Sequence, residues 1–260
     1  MTQPDRQTQR HDDVVLEQYD ARANAYLASA VHAAGADLDA MANLVGKRPG
    51  AIALDMGCGG GHVTFRLAPL VDSIVACDLS APMLETVAAE AARRGLSNVV
   101  TKRTAAERLP CPDCAFDVVA TRYSAHHWGG FHEGLAQMRR VLKPGGLALF
   151  ADVVSPGRPL LDTWLQTLEL LRDPSHVRNA SEEEWRAALA ANGFVVDAVT
   201  TYRLRLEFGP WIERMRTPDV HVAAIRSLQA RAAAEVREYF EIGADGSFTV
   251  DTVLIAAHAA

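Results

Sequence analysis

Long apolar runs are missing from this sequence. The longest, such as residues 147–151, contain far too few residues to span a bilayer. The polar first 13 residues include no apolar segment of the signal-peptide type. These absences predict a cytoplasmic protein that does not insert into membranes.

Basic charge and cysteine are also scarce. The 260 residues include 26 Lys and Arg against 32 Asp and Glu, and this net charge of −6 argues against nucleic acid as a partner. Four cysteines occur, and Cys111 and Cys114 have the spacing of a redox or zinc motif without a second such pair. We therefore expect ordinary core or loop positions for both and no metal, with metal binding as the alternative.

The overall composition, 49% hydrophobic and 22% charged, is that of an ordinary globular protein. The pattern of apolar residues differs between the parts of the chain before and after residue 152. Between residues 51 and 152, short apolar runs alternate with amphipathic segments, an order that requires a parallel sheet with helices on both faces. Beyond residue 152 the pattern predicts helices over 160–171, from 181, and over 211–239, with strands over 194–208 and 248–255. We expect the long helical segment at 211–239 to form a lid.

A glycine-rich loop follows the first predicted strand. Residues 54–62 read Leu-Asp-Met-Gly-Cys-Gly-Gly-Gly-His, and their glycines allow a tight turn and a close approach to a ligand. A second apolar run, residues 73–77, ends at Asp78, whose carboxylate can accept hydrogen bonds from both hydroxyls of a ribose. Strand carboxyl ends form the usual ligand crevice of open α/β sheets, so both segments predict a site for a nucleoside-containing cofactor. A nicotinamide-dependent oxidoreductase is a weaker alternative, because the loop fits the dinucleotide fingerprint poorly.

Five ordered blocks carry a resemblance to one enzyme family. They are the glycine loop with its preceding acidic residue, Asp78, and residues 105–110, 116–119 and 140–146. This order resembles the class I S-adenosylmethionine-dependent methyltransferases, particularly the ubiquinone and menaquinone C-methyltransferases and their bacterial small-molecule relatives. The resemblance implies a Rossmann-like α/β fold, with a seven-stranded, mostly parallel sheet, an antiparallel edge strand, helices on both faces and a helical lid.

The resemblance also implies a division of the chain within one structural domain. Residues 1–50 would supply helices that cover the cofactor site, and residues 51–155 would form the core that binds S-adenosylmethionine. Residues 156–260 would supply the lid helices and the C-terminal strands that complete the sheet. Oligomeric state is left open between a monomer and a homodimer.

Cofactor contacts follow from the resemblance, position by position. The implied S-adenosylmethionine-binding residues are Tyr26, Asp55, Gly57, Cys58, Gly59, Gly61, Asp78, Leu79, Met83, Ala106, Glu107 and Arg122. Of the two tyrosines near the amino terminus, Tyr26 is favoured over Tyr19. The relatives often have an aspartate that binds the adenine amino group where this chain has Ala105, so adenine recognition falls to the backbone near Ala106 or to Glu107.

Candidate catalytic residues follow the predicted strand at 116–121. This strand leads into Arg-Tyr-Ser-Ala-His-His-Trp, residues 122–128, at the edge that faces the cofactor in this family. Histidine can take a proton from a phenol, an enol or an acidic carbon, which makes His126 and His127 candidate bases. Adjacent side chains face different ways, and we favour His127; a packed or helix-capping histidine is the alternative. The segment lacks the Asn/Asp-Pro-Pro-aromatic signature of enzymes that methylate DNA bases.

A basic cluster lies between two predicted lid helices. Arg172, His176 and Arg178 could pair with an acidic or phosphate-bearing substrate, or the arginines could pair with Asp173 or Glu182 on a solvated connector. The sequence as a whole predicts transfer of a methyl group from S-adenosylmethionine to an oxygen or carbon of a small-molecule metabolite, with S-adenosylhomocysteine as the other product. The alternative is a non-catalytic regulatory protein that binds S-adenosylmethionine.

Overall fold

The fold is built on one seven-stranded sheet. The computed structural model describes residues 9–23, 27 and 35–260. The strands are β1 (Arg48–Met56), β2 (Val71–Asp78), β3 (Val99–Arg103), β4 (Phe116–Arg122), β5 (Leu142–Val154), β6 (Phe194–Leu206) and β7 (Phe248–Ala259). They lie in the order β3-β2-β1-β4-β5-β7-β6. The predicted α/β fold is confirmed.

Parallel pairing places the carboxyl ends of neighbouring strands at the same edge of the sheet. Strands β1 to β5 pair in parallel, so the carboxyl ends of β1, β2, β4 and β5 share one edge of the sheet. Strand β7 runs antiparallel to β5 and to the outer strand β6. The end of β1 is buried from Ala53 to Met56, as expected of a central strand covered on both faces.

Helices cover both faces of the sheet and its carboxyl edge. Those in the described residues are α1 (His11–Tyr19), α2 (Ala36–Val45), α3 (His62–Leu67), α4 (Ala81–Arg93), α5 (Phe131–Val141), α6 (Pro159–Arg172), α7 (Glu182–Ala191), α8 (Phe208–Met215), α9 (Asp219–Arg231) and α10 (Ala234–Tyr239). Within the part of the chain that is described, no helix is long and apolar enough to cross a bilayer.

Four helices that follow β5, which we call the lid helices, share an apolar core of their own. Helices α6, α8, α9 and α10 pack together over one end of β7. Trp164 stacks on Phe240 with 4.5 Å between ring centroids, and the ring of Trp211 meets that of Phe248 edge-on at 5.0 Å. Aromatic pairs of this kind bury large areas, so the lid is a packed layer and not a loose connection.

Candidate functional site

The glycine loop turns tightly at the end of β1, and two of its glycines are required by close packing. A Cβ on Gly57 would lie 1.8 Å from the Ser124 hydroxyl, and Gly57 has a φ of +66°. A Cβ on Gly61 would lie 2.8 Å from the Phe65 ring, and its φ is +80°. Residues with a side chain rarely adopt such positive φ values, so both the backbone conformation and the lack of room for a Cβ require glycine at these two positions.

Asp55 supports this loop from inside the protein. It lies at the end of β1, is 1% exposed, and its Oδ2 accepts hydrogen bonds from the Thr64 backbone N–H at 2.9 Å and hydroxyl at 2.6 Å. Burial raises the pKa of Asp55 to about 7, against the two bonds from Thr64, which lower it. Asp55 therefore holds the start of α3 in place beneath the loop.

Asp78 joins the end of β2 to the loop. Its Oδ2 accepts the Gly59 N–H at 2.8 Å, and its Oδ1 accepts the Ser80 N–H at 2.9 Å. Burial raises the pKa of Asp78, while these two backbone donors act in the opposite direction. Each carboxylate oxygen thus has one backbone donor and retains capacity to accept a second hydrogen bond.

A cleft of about 1030 Å³ opens between the loop, Asp78 and α1, and we call it the first cavity. Ten predicted cofactor residues line it, namely Asp55, Gly57, Cys58, Gly59, Asp78, Leu79, Met83, Ala106, Glu107 and Arg122. Gly61 is not among the lining residues, since its role is packing against Phe65. Tyr26 lies outside the described residues.

Two charged residues of the first cavity are already engaged by the protein. The Glu107 Oε1 accepts the Gly130 N–H at 2.9 Å. Arg122 forms a buried ion pair with Asp37 of α2, with its Nε 2.6 Å and its Nη2 3.1 Å from the two carboxylate oxygens. These contacts fix the walls of the cleft and tie α2 to the end of β4.

The two adjacent histidines occupy different environments. The Nδ1 of His126 lies 2.5 Å from the Oδ1 of Asp152, a carboxylate near the end of β5 that is 2% exposed. Burial alone would lower the pKa of His126, but the charge of Asp152 and this hydrogen bond hold it above its ordinary value. His126 is thus paired with a carboxylate in a fixed geometry.

His127 instead belongs to a network that reaches α1. Its Nε2 lies 2.7 Å from the Tyr19 hydroxyl, which donates to the Oδ2 of Asp173 at 3.0 Å. Its Nδ1 lies 3.1 Å from the Ser175 carbonyl oxygen. Burial, together with the neighbouring His126, lowers the pKa of His127, whereas the charge of Asp173, whose Oδ2 lies 3.9 Å from the His127 Nε2, acts in the opposite direction.

A second cavity of about 570 Å³ lies under the lid, next to the first. Its apolar walls come from Val153, Leu204, Leu206 and Trp211, and its polar walls include His126, Glu169, Arg172, Asn179 and Arg214. Tyr19, Tyr123 and His127 line both cavities and therefore lie between them. Tyr123 has a φ of +53°, an uncommon conformation for a bulky residue and one that concentrates at functional sites.

The predicted basic cluster does not converge on one place. Arg172 lines the second cavity and donates from Nε to the Trp211 carbonyl at 3.0 Å. His176 is buried against Gln166, with 2.9 Å between its Nε2 and the amide oxygen. Arg178 lines neither cavity and pairs with Glu184 at 3.0 Å.

Comparison with known proteins identifies the family. Residues 53–146 match the family of the methyltransferase domain. The uncharacterized methyltransferase YcgJ of Bacillus subtilis (strain 168) is 33% identical over 242 residues, which cover 91% of this chain and 96% of YcgJ. The crystal structure of YcgJ has a TM-score of 0.83 and 32% identity, covering 86% of this chain and 97% of that one. The chain belongs to the class I S-adenosylmethionine-dependent methyltransferases.

Two other relatives show how far the similarity extends. The uncharacterized protein YafE of Escherichia coli (strain K12) is 48% identical over 204 residues, which cover 78% of this methyltransferase and 99% of YafE. The ubiquinone/menaquinone biosynthesis C-methyltransferase UbiE of Ectopseudomonas mendocina (strain ymp) is 36% identical over 122 residues, 45% of this chain and 48% of UbiE. The predicted resemblance is confirmed, and the similarity to UbiE is confined to about half of each protein.

Sequence reasoning did not include among the candidate site residues several that line the second cavity or contact the side chains in its wall. Asp152 could have been found, because it is an acidic residue near the carboxyl end of a predicted parallel strand, as Asp55 and Asp78 are. Asp173 and Asn179 carried no comparable signal, since both lie in an irregular connector. Among the described residues, no group of three His, Cys, Asp or Glu side chains is arranged to hold a metal ion.

Proposed function

We propose that this methyltransferase transfers the methyl group of S-adenosylmethionine to an oxygen or carbon of a small, partly apolar metabolite. The observation that carries the proposal is the pair of adjacent cavities with Tyr19, Tyr123 and His127 between them. A cofactor in the first cavity and an acceptor in the second would meet at this shared wall. S-adenosylmethionine supplies an electrophilic methyl group on a sulfonium and leaves as S-adenosylhomocysteine.

The residues of the first cavity fit the cofactor. Asp78 can accept one ribose hydroxyl at each carboxylate oxygen in addition to its backbone donors. A Cβ on Gly59 would meet no atom within 4 Å, so this glycine faces open space in which a ligand can approach the backbone. Leu79 and Met83 also line the first cavity and would offer apolar surface to the adenine.

The second cavity has the mixed apolar and polar lining expected of a site for a small molecule. Its wall combines the apolar side chains of Leu204, Leu206 and Trp211 with charged side chains. Asn179 is 1% exposed, and no described residue accepts a hydrogen bond from its amide nitrogen. A buried donor without a partner is costly, so an acceptor oxygen from a ligand would satisfy it.

The chain's own contribution to the reaction is to hold the acceptor and to exclude water. Displacement at a methyl group requires the attacking atom in line with the bond that breaks, and correct placement accounts for much of the rate. The packed lid closes the second cavity from one side, and α1 closes the first. Helix α1 is fastened by the bonds of Tyr19 and by the His11 Nε2, which lies 2.9 Å from the His127 carbonyl oxygen.

The test is transfer of label from methyl-tritiated S-adenosylmethionine into a cell extract, with the products separated into organic-soluble, aqueous small-molecule and acid-precipitable fractions. We expect label in a small-molecule fraction with the wild-type protein and less with Asp78→Ala. Asp72→Ala is the matched control, because Asp72 is an exposed aspartate on the same strand.

The other outcomes contradict the proposal in different ways. Label in the precipitate would make a protein or nucleic acid the substrate. Binding of S-adenosylhomocysteine without transfer to any fraction would favour the non-catalytic regulatory protein, since cofactor binding and catalysis use different residues.

A further inference from the structure

Asp152 fixes the orientation of the His126 ring. Besides the Nδ1 contact at 2.5 Å, the Asp152 Oδ2 accepts the His126 backbone N–H at 3.3 Å. The Oδ1 also accepts the Val153 N–H at 2.8 Å, so the carboxylate is itself held by the backbone. A histidine whose ring is fixed by a buried carboxylate has one defined tautomer when neutral.

That tautomer leaves a lone pair on the other nitrogen. An ionised carboxylate only accepts hydrogen bonds, so the Nδ1 of His126 carries the proton and the Nε2 of the neutral ring does not. His126 lines the second cavity, and no described residue forms a hydrogen bond with its Nε2. The ring therefore has an unused acceptor nitrogen beside the space proposed for the acceptor.

His127 offers no such nitrogen. Its Nδ1 faces the Ser175 carbonyl and its Nε2 bonds the Tyr19 hydroxyl, so both ring nitrogens are engaged. Its lowered pKa, about 3, would also make it a weak base near neutral pH. The same adjacent pair thus contains one histidine suited to accept a proton and one suited to hold α1 in place.

We propose that His126 is the general base of the methyl transfer and that Asp152 is its positioning residue. The assignment rests on the proposed function and narrows the acceptor to a molecule with a weakly acidic O–H or C–H group, such as a phenol or an enol. The O–H or C–H bond breaks, its proton goes to the His126 Nε2, and its electron pair forms the new bond to the methyl carbon. The electron pair of the S–CH₃ bond stays on sulfur, and the imidazolium later releases its proton to water.

The charges around His126 determine the pH at which it can act. Asp152, Glu169 and Asp173 each favour the protonated ring. Burial disfavours it, and so do the positive charges of Arg172 and Arg214 in the same cavity wall. Any protonation of His127 or His176, whose pKa values are both lowered to about 3, would disfavour it as well. The net effect raises the pKa of His126 above 6.5, so the basic form accumulates as the pH rises through and above that value.

The test measures the rate of label transfer into the small-molecule fraction between pH 5 and 9. With wild type we expect the rate to rise with pH to a plateau, with a midpoint above 6.5. His126→Gln should lower the plateau by about 100-fold or more and abolish the rise, the usual size for a lost general base. Asp152→Asn should move the midpoint to lower pH. The affinity for S-adenosylhomocysteine should stay within about twofold in both variants.

A matched control comes from an exposed pair of the same chemistry. His258 lies with its Nδ1 2.9 Å from Asp197, 40% exposed and away from both cavities. His258→Gln should leave the pH profile unchanged. Titration of ¹⁵N-histidine-labelled protein bound to S-adenosylhomocysteine adds a readout that needs no acceptor: the neutral His126 ring should carry its proton on Nδ1.

Failure of the inference differs from failure of the proposed function. Label transfer that His126→Gln retains, or a pH limb lost in His127→Gln instead, would overturn the base assignment while leaving the enzyme a methyltransferase of small molecules. A neutral His126 ring with its proton on Nε2 would overturn it as well. No label in a small-molecule fraction with wild type would overturn the proposed function and the base assignment together.

Discussion

Replacing Asp78 by alanine removes the carboxylate on which the cofactor proposal depends. In the free protein its two oxygens accept the Gly59 and Ser80 N–H groups at 2.8 and 2.9 Å. Each oxygen has capacity for one more donor, so the variant would lose two charge-assisted hydrogen bonds to a ribose. The backbone donors would turn to water in the open cleft, which limits the damage to folding.

The size of the effect follows from this count. A hydrogen bond to a charged group contributes about 1.5–3 kcal/mol. Because both Asp78 oxygens already share their charge with backbone donors, we take the value of one such bond for the pair. A loss of about 1.5–3 kcal/mol corresponds to a dissociation constant for S-adenosylhomocysteine that is about 12- to 150-fold larger. Asp78→Asn, which keeps one oxygen, should fall between wild type and Asp78→Ala.

Isothermal titration calorimetry with S-adenosylhomocysteine measures this change, and urea denaturation shows whether the variant is folded. Asp72→Ala controls for loss of an acidic side chain from β2, and its dissociation constant should equal that of wild type. An unchanged affinity in folded Asp78→Ala protein would refute the assignment of Asp78 to the ribose. It would also remove the main reason for placing the cofactor in the first cavity.

Two buried polar contacts outside the base assignment have consequences for stability. Tyr19→Phe removes the hydroxyl that donates to Asp173, and we expect urea denaturation to show a loss of about 0.5–1.5 kcal/mol; no change would mean that α1 is not held by this bond. Asp37→Ala leaves the buried Arg122 guanidinium without its carboxylate, which should cost about 3–5 kcal/mol. In the same assay, Asp39→Ala breaks an exposed pair on the same helix and should cost less than about 1 kcal/mol, and equal losses would contradict the reasoning.

The core of the fold and the first cavity could be predicted because their signals are local. The glycine loop, Asp78 and the alternation of strands and helices each depend on residues close in sequence, and parallel pairing then brings the strand ends together. Even here, sequence spacing could not separate two kinds of glycine. Gly59 faces the cleft, whereas Gly61 is required by the ring of Phe65.

The second cavity could not be predicted, because its walls come from distant segments. Tyr19 reaches Asp173 across 154 positions of sequence, and no periodicity records such a contact. The basic cluster illustrates the same limit. Its members are neighbours in sequence, yet the irregular connector directs Arg178 to Glu184 and buries His176 against another side chain.

The choice of His126 over His127 as the general base depends on contacts that cannot be inferred from the sequence. With ring centroids 4.2 Å apart, His126 and His127 cannot both be charged without strong repulsion. Two carboxylates compete for the proton: Asp152 lies 2.5 Å from the Nδ1 of His126, whereas Asp173 lies 3.9 Å from the Nε2 of His127, so the closer pair favours the charge on His126. Under the proposed assignment, proton uptake by His126 also conserves the charge of the site. Methyl transfer from a sulfonium removes one positive charge, and the protonated His126 ring adds one nearby. A base that became charged beside Asp152 would thus leave the net charge of the buried site unchanged, whereas an acceptor that reacts without losing a proton would not use His126 at all.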